Sequence, residues 1–138
     1  MSRPKILVIE DCQADIALLR IAFDGQGEEY DLDVLQDGEE ALRFIHEHRT
    51  GIRAAEPCVI VLDISLPKHD GMEVLKELRR DPALYHIQVV VWSSFANPKQ
   101  TAEVEKFGVL HRTKPTTLHE AYELGAEILA ICKDGISV

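Results

Sequence analysis

The sequence predicts an α/β fold: a doubly wound parallel sheet of five strands with helices on both faces. Two observations predict it, namely five short apolar runs and, between them, segments whose apolar residues recur at helical spacing. A chain of 138 residues is long enough to bury one substantial core. We therefore expect a single domain over residues 1–138, with its core from about residue 5 to about residue 132.

The first strand and the first helix are predicted near the N-terminus. Lys5 to Glu10 (KILVIE) is a branched apolar run that ends in an acid, as a buried parallel strand does at the edge of its sheet. Ile16, Leu19 and Phe23 then follow at helical spacing. Asp15, or a polar residue just before it, is the predicted N-cap, because a short acidic side chain can accept hydrogen bonds from free backbone N–H groups.

The second strand and the second helix are joined by a turn. Tyr30 to Leu35 alternates well enough between polar and apolar residues to predict a strand. The sequence from Gln36 to Gly38 is typical of a turn. Glu39 to His48 carries an apolar stripe that includes Ala41 and Ile45, which predicts a helix.

The third strand is predicted at the centre of the sheet. Cys58 to Leu62 (CVIVL) is the most continuous apolar run of the chain, which indicates a strand covered on both faces. Asp63 follows it directly. After a loop, a helix is predicted from about Met72 to Arg80, and the proline of Asp81-Pro82 ends it.

The remaining elements complete the alternation. Val89 to Trp92 predicts a fourth strand, and a short helix follows as far as Phe107. Val109 to Arg112 is a weaker, partly polar fifth strand. A final helix is predicted from about Thr117 to Cys132.

Charge and hydropathy exclude several classes of protein. Fifteen basic and twenty-four acidic residues give a formal net charge of -9, so the field of the protein repels nucleic acid and anionic membrane surfaces. The apolar runs are far too short to span a bilayer. The first residues do not form a secretory signal. We therefore expect a cytoplasmic protein that binds neither nucleic acid nor membranes.

The cysteines argue against two kinds of structural site. Cys12, Cys58 and Cys132 are scattered along the chain and odd in number, which disfavours both a disulfide framework and a zinc site with paired thiolates. We expect all three to be small apolar residues in or near the core.

Polar residues that suit a metal ion and a phosphate follow four of the five predicted strands. They are Glu10 and Asp11 after the first, Asp63 after the third, Ser93 after the fourth and Lys114 after the fifth. In doubly wound folds, ligands bind beyond these carboxyl ends of the strands. Three converging carboxylates need a cation among them, and Mg²⁺ prefers such oxygen ligands together with a phosphate oxygen.

Each of these residues taken singly has a simpler interpretation. A strand-terminal aspartate is more often a helix cap or a turn residue, Ser93 a turn hydroxyl and Lys114 a surface cation. The prediction of a magnesium and phosphate site therefore depends on the whole set.

With this set in place, the chain resembles the response regulator receiver family from Lys5 to about Cys132. The resemblance is carried by Glu10-Asp11, by Asp63 within LDISLPKHDG with Pro67, Asp70 and Gly71 at the family's spacing, by Ser93, and by Lys114-Pro115. It is consistent with a flavodoxin-like strand order of 2-1-3-4-5.

The resemblance implies a role for each acid of the set. Asp63 is the phosphoacceptor, and the protein is a phosphoacceptor in signalling rather than an enzyme. Asp11 is a direct Mg²⁺ ligand and Glu10 assists through water. Asp63 and the backbone carbonyl of Ser65 complete the metal ligands.

The resemblance also implies roles on the last two strands. Lys114 pairs with a phosphoryl oxygen, and its peptide bond to Pro115 is expected to be cis. Ser93 binds the phosphoryl group and is coupled to an aromatic residue on the fifth strand. His111 stands at that position, where tyrosine or phenylalanine is more common, so we expect the coupling to be looser or pH-dependent.

The implied partner is a sensor histidine kinase, and the LDISLPKHDG stretch also looks like that of the small receivers paired with bacterial phytochrome kinases. We expect the signal to leave by phosphorylation-dependent protein binding. The apolar stripe of the last helix is wider than one sheet face needs, and Leu124 and Ile131 widen it. We therefore expect a partner or homodimer surface there.

Two other classes of protein remain open. A degenerate receiver would bind partners without phosphorylation, but Asp11, Asp63 and Lys114 are all present. A metal-dependent phosphatase or mutase of another doubly wound fold would need an acid two residues after its nucleophilic aspartate, and Ser65 occupies that position.

Overall fold

The structure, a computed structural model, describes residues 3–49, 56–65, 70–94 and 98–134. Within these residues, strands and helices alternate along the chain. The strands are β1 (Lys5–Ile9), β2 (Asp31–Leu35), β3 (Val59–Asp63), β4 (Gln88–Ser93) and β5 (Leu110–Thr113). The helices are α1 (Gln13–Asp24), α2 (Gly38–Arg49), α3 (Gly71–Arg80), α4 (Pro98–Glu105) and α5 (Leu118–Asp134).

The sheet has the predicted topology. All four pairings are parallel, and the strand order is β2-β1-β3-β4-β5. The chain goes from β1 outwards to β2 and then back across β1 to β3, so the order reverses between β1 and β3. The carboxyl ends of these two strands therefore form the crevice in which such folds bind ligands. The predicted α/β fold class is confirmed.

Side chains of each inner strand alternate between two hydrophobic clusters, one on each face of the sheet. Leu7 and Ile9 of β1 belong to the cluster covered by α2 and α3, whereas Ile6 and Val8 belong to the cluster covered by α1 and α5. Every residue of β3 is buried, as the continuous apolar run predicts for a central strand.

The last helix packs closely against the first as well as against the sheet. A Cβ atom on Gly125 of α5 would lie 2.6 Å from the backbone oxygen of Ala22 on α1, so only glycine allows this approach. Leu124 is only 7% exposed and Ile131 packs against the same cluster. The prediction that Leu124 forms a partner surface is therefore wrong, because the wide stripe of α5 faces both the sheet and α1.

Other apolar side chains reach the surface instead. The large exposed ones among the described residues are Ile21, Tyr85, Leu118 and Tyr122. Ile21 lies on α1, and Leu118 and Tyr122 lie in the first turns of α5.

The cysteines do not behave as the sequence predicts. Cys58 and Cys132 form a disulfide, with their Cα atoms 5.2 Å apart, a distance typical of such bonds. Cys12 is free and exposed rather than part of the core. The expectation of no disulfide is wrong because the fold brings the start of β3 next to the last turn of α5, across 74 residues of sequence.

None of the helices in the described part of the chain is long and apolar enough to cross a membrane. The apolar residues of these helices are instead used to cover the sheet.

Candidate functional site

Three carboxylates meet where β1 and β3 end. Glu10 and Asp11 follow β1, and Asp63 is the last residue of β3. Each can place one carboxylate oxygen within 4.8 Å of the others. Glu10 and Asp63 are buried while Asp11 is exposed, so the cluster opens to solvent on one side. The structure thus brings together the acids that the sequence predicts at this edge.

A lysine lies opposite the acids. The backbone N–H of Lys114 donates to the carbonyl oxygen of Ser93 at 2.7 Å, which fixes the start of the β5–α5 loop beside the end of β4. The Nζ atom lies 3.0 Å from Glu10 Oε1 and 3.4 Å from Asp63 Oδ2. It also lies 5.0 Å from the ring centroid of Trp92, a distance that allows a cation–π contact.

The closest acidic partner of this lysine is a residue that the sequence assigns to another role. Lys114 Nζ donates a hydrogen bond to Asp15 Oδ2 at 2.7 Å. The N-cap of α1 is Cys12, whose side chain makes no capping bond, so the prediction of Asp15 as the cap is wrong. The signal that could have placed it at this edge is its position in the first turn of the helix that directly follows Glu10 and Asp11.

The charges of the site perturb one another. Burial raises the pKa of Glu10 to about 7, although a hydrogen bond from the backbone of Cys12 and the ammonium of Lys114 both oppose the shift. Burial alone would lower the pKa of Lys114, but the contacts with Asp15 and Glu10 outweigh it and raise this pKa. The lysine is therefore charged, and it does not neutralise the whole acidic cluster.

These residues fit a hard divalent cation. The three acids of the cluster offer only oxygen ligands, which Mg²⁺ prefers. Glu10 Oε1 is buried and has no hydrogen-bond partner among the described residues, although Lys114 lies at ion-pair distance. Ser65 is exposed beside the cluster, and its backbone N–H donates to Asp63 Oδ1 at 3.0 Å. Residues 66–69, which include Pro67, lie outside the described part of the chain.

The predicted switch residues are neighbours. Ser93 is buried at the end of β4, and its Oγ lies 3.1 Å from Nε2 of His111 on β5. Burial lowers the pKa of His111, and the charge of Arg112 lowers it further, whereas Glu105 acts in the opposite direction. The imidazole is therefore neutral at neutral pH.

One expectation about the β5–α5 loop is wrong. The bond between Lys114 and Pro115 is trans, since the described residues contain no cis peptide. The two isomers of an X–Pro bond differ by only about 0.5–1 kcal/mol, so surrounding contacts decide between them.

Two residues beyond Asp63 have local structural roles. Asp70 is the N-cap of α3, and its Oδ1 accepts a hydrogen bond from the backbone N–H of Met72 at 3.0 Å. Gly71 lies against the backbone of Ile64, where a Cβ atom would clash. Both residues therefore help to fix the start of α3.

The comparisons with known proteins agree with this geometry. A family model described as the response regulator receiver domain matches residues 6–126. Response regulator Rcp1 of Synechocystis sp. is 32% identical over 120 residues, which cover 86% of this chain and 82% of Rcp1.

Two solved structures of response regulators also match the chain over nearly its whole length. The crystal structure of the phosphorylated cyanobacterial phytochrome response regulator RcpA matches with a TM-score of 0.85 and 30% identity, over 99% of this chain and 98% of that one. The crystal structure of the Mn(2+)-bound form of response regulator Rcp1 matches with a TM-score of 0.82 and 28% identity, over 98% of each chain.

Proposed function

The chain belongs to the response regulator receiver domain family, and on this premise we propose that it accepts a phosphoryl group on Asp63 from the phosphohistidine of a histidine kinase. Mg²⁺ is the proposed cofactor. The observation that carries the proposal is the convergence of Glu10, Asp11 and Asp63 at one edge of the sheet, with Lys114 opposite them.

The transfer needs positioning and neutralisation of charge more than a separate base. A carboxylate oxygen of Asp63 attacks phosphorus, and the phosphorus–nitrogen bond of the donor breaks. The electron pair of that bond stays with the donor imidazole, and an acyl phosphate forms. The Ser65 N–H holds Asp63 Oδ1, which orients the carboxylate. Lys114 is placed to neutralise charge on the phosphoryl oxygens.

A bound magnesium ion would supply further positive charge to the same oxygens. The residues proposed to hold it are Glu10, Asp11, Asp63 and the backbone carbonyl of Ser65. Their oxygen donors, and the raised pKa of Glu10 in the metal-free protein, support this assignment.

Ser93 is the proposed sensor of the phosphoryl group. Its hydroxyl lies at the carboxyl end of β4, and His111 Nε2 is 3.1 Å away. When Ser93 turns towards a phosphoryl oxygen, its hydrogen bond with His111 is lost. The rearrangement of His111 would then carry the signal to the surface formed by α4 and β5.

The proposed kinase partner is of the phytochrome type, and the proposed location is the cytoplasm. RcpA is named as a phytochrome response regulator, and its structure matches this chain over nearly its whole length. We propose that output occurs by phosphorylation-dependent protein binding.

The proposed function is tested by incubation with acetyl phosphate, with and without Mg²⁺, followed by intact mass spectrometry. Wild type with Mg²⁺ should gain the mass of one phosphoryl group, and Asp63→Ala should gain none. Glu120→Gln, which changes an exposed acid on α5, should behave as wild type.

The same experiment separates the alternatives. Equal labelling of wild type and Asp63→Ala would contradict the assignment of the acceptor. No adduct on wild type would favour a degenerate receiver that acts without phosphorylation. A second incubation, with Mg²⁺ and a panel of phosphate esters, tests the third alternative, because rapid hydrolysis of many esters without a stable adduct would favour a phosphatase.

A further inference from the structure

The ammonium group of Lys114 lies among several acidic side chains. Three carboxylates lie around Nζ, with Asp15 at 2.7 Å, Glu10 at 3.0 Å and Asp63 at 3.4 Å. The ring of Trp92 covers a further side at 5.0 Å. A lysine has only three N–H donors and one positive charge, so an incoming anion must share this ammonium group with the acids already around it.

The three acids differ in their freedom to leave. Glu10 is completely buried, and its Oε2 accepts from the backbone of Cys12 at 3.0 Å. Asp63 would itself carry the phosphoryl group. The Asp15 side chain is 25% exposed in the first turn of α1, so it can turn into solvent at small cost.

We propose that Asp15 competes with the phosphoryl group for Lys114, so that breaking the Asp15–Lys114 contact is part of forming the phosphorylated state. This inference rests on the proposed function of Asp63. Asp15 lies outside the cluster of Glu10, Asp11 and Asp63, and its effect is exerted through the lysine. Asp15 is thus a positioning residue that favours the unphosphorylated state.

The direction in which removal of the Asp15 charge changes anion affinity distinguishes competition for Lys114 from correct placement of Lys114. If Asp15 competes, removal of its charge frees one donor of Lys114 and removes a repulsive charge from the incoming anion, so anion affinity rises. If Asp15 only holds Lys114 in a productive position, its removal weakens anion binding. A partly exposed ion pair of this kind corresponds to a change of about two- to fivefold in affinity.

The test is titration of beryllofluoride, an anion that mimics a phosphoryl group on a carboxylate, at saturating Mg²⁺ for each variant. Trp92 is the only tryptophan of the chain, and Lys114 Nζ lies over its ring. Its fluorescence therefore reports the position of the lysine. We expect Asp15→Asn to bind beryllofluoride about two- to fivefold more tightly than wild type. Its emission before ligand is added should already differ from that of wild type.

Two further variants control for charge and for folding. Glu120→Gln also removes one carboxylate charge. Glu120 is exposed and accepts a hydrogen bond from the backbone N–H of Thr116. Beryllofluoride affinity and tryptophan emission should therefore stay as in wild type. Asp15→Glu keeps the charge and should bind beryllofluoride more weakly than Asp15→Asn. Thermal melting of each variant shows whether it folds, and Asp15→Ser replaces Asp15→Asn in the same comparison if the latter does not.

The outcomes separate this inference from the proposed function. Unchanged or weaker binding by Asp15→Asn, alongside normal binding by wild type, overturns the competition and leaves the role of Asp63 intact. Failure of wild type to bind beryllofluoride, or equal binding by Asp63→Asn, contradicts the proposed function and the competition together.

Discussion

Ser93 and His111 are joined across neighbouring strands, with Ser93 Oγ 3.1 Å from His111 Nε2. Burial lowers the pKa of His111, so the folded protein binds a proton there less readily than the unfolded chain does. Above the ordinary histidine pKa of about 6.5, His111 therefore does not change the free energy of unfolding. As pH falls below that value, His111 lowers the free energy of unfolding.

This relationship predicts a pH-dependent difference between wild type and His111→Phe. As pH is lowered from about 8 to about 5.5, wild type should lose free energy of unfolding relative to the variant, because only wild type must protonate a half-buried imidazole. Urea denaturation at several pH values measures the difference. A gap between the two proteins that stays constant over this range would contradict the prediction.

Glu10 should show the opposite pH dependence in the metal-free protein. Its pKa of about 7 in the folded state lies above the ordinary value of 4.5, so its contribution to stability is lost as pH rises through 7. Wild type should therefore lose stability relative to Glu10→Gln between about pH 5 and about pH 8.

Mg²⁺ should reverse this loss in wild type. At about pH 8, magnesium should raise the melting temperature of wild type more than that of Glu10→Gln, because a charged ligand is needed to bind the cation. Equal shifts for the two proteins would argue against Glu10 as part of the metal site.

The packing of α5 predicts different costs for two leucines of the same helix. Leu124 is 7% exposed in the cluster below α1 and α5, so Leu124→Ala should cost about 2–5 kcal/mol. Leu118 is 56% exposed, and Leu118→Ala should change stability by less than about 0.5 kcal/mol. Urea denaturation of both variants provides the comparison. Similar costs at the two positions would mean that α5 does not pack as described.

The disulfide predicts a loss of stability on reduction. Cys58 and Cys132 are separated by 74 residues, and closing a loop of this length stabilises a fold by up to about 4.5 kcal/mol in the chain-entropy model. A reducing agent should therefore shift the urea midpoint of wild type but not that of Cys58→Ser.

Thiol alkylation of the native, unreduced protein gives an independent check. Cys12 should be the only cysteine modified, because it is free and exposed. Modification of all three cysteines before denaturation would contradict the disulfide. This outcome would agree with a cytoplasmic location, where disulfides are rare.

The sequence alone predicted the features of the fold that depend on the period of side chains along a strand. Apolar runs ending in acids predicted β1 and β3, and the shared edge of a parallel sheet then predicted that Glu10, Asp11 and Asp63 would meet. These inferences need only the period of the side chains and the direction of the strands.

The features that the sequence did not predict depend on contacts between distant elements. Cys58 and Cys132 meet only because α5 ends beside the start of β3. Leu124 is buried because α5 lies on α1 as well as on the sheet. The local sequence around Asp15 predicts a helix cap, whereas its actual partner, Lys114, is 99 residues away along the chain.

The assignment of Asp63 as the acceptor is tested most directly by locating the phosphoryl group within the labelled protein. After incubation with acetyl phosphate and Mg²⁺, the protein is treated with borohydride, which reduces an acyl phosphate to an alcohol, and is then digested and sequenced by mass spectrometry. We expect homoserine to appear at position 63 alone. Reduction at Asp11 or at another acid, with position 63 unmodified, would contradict it.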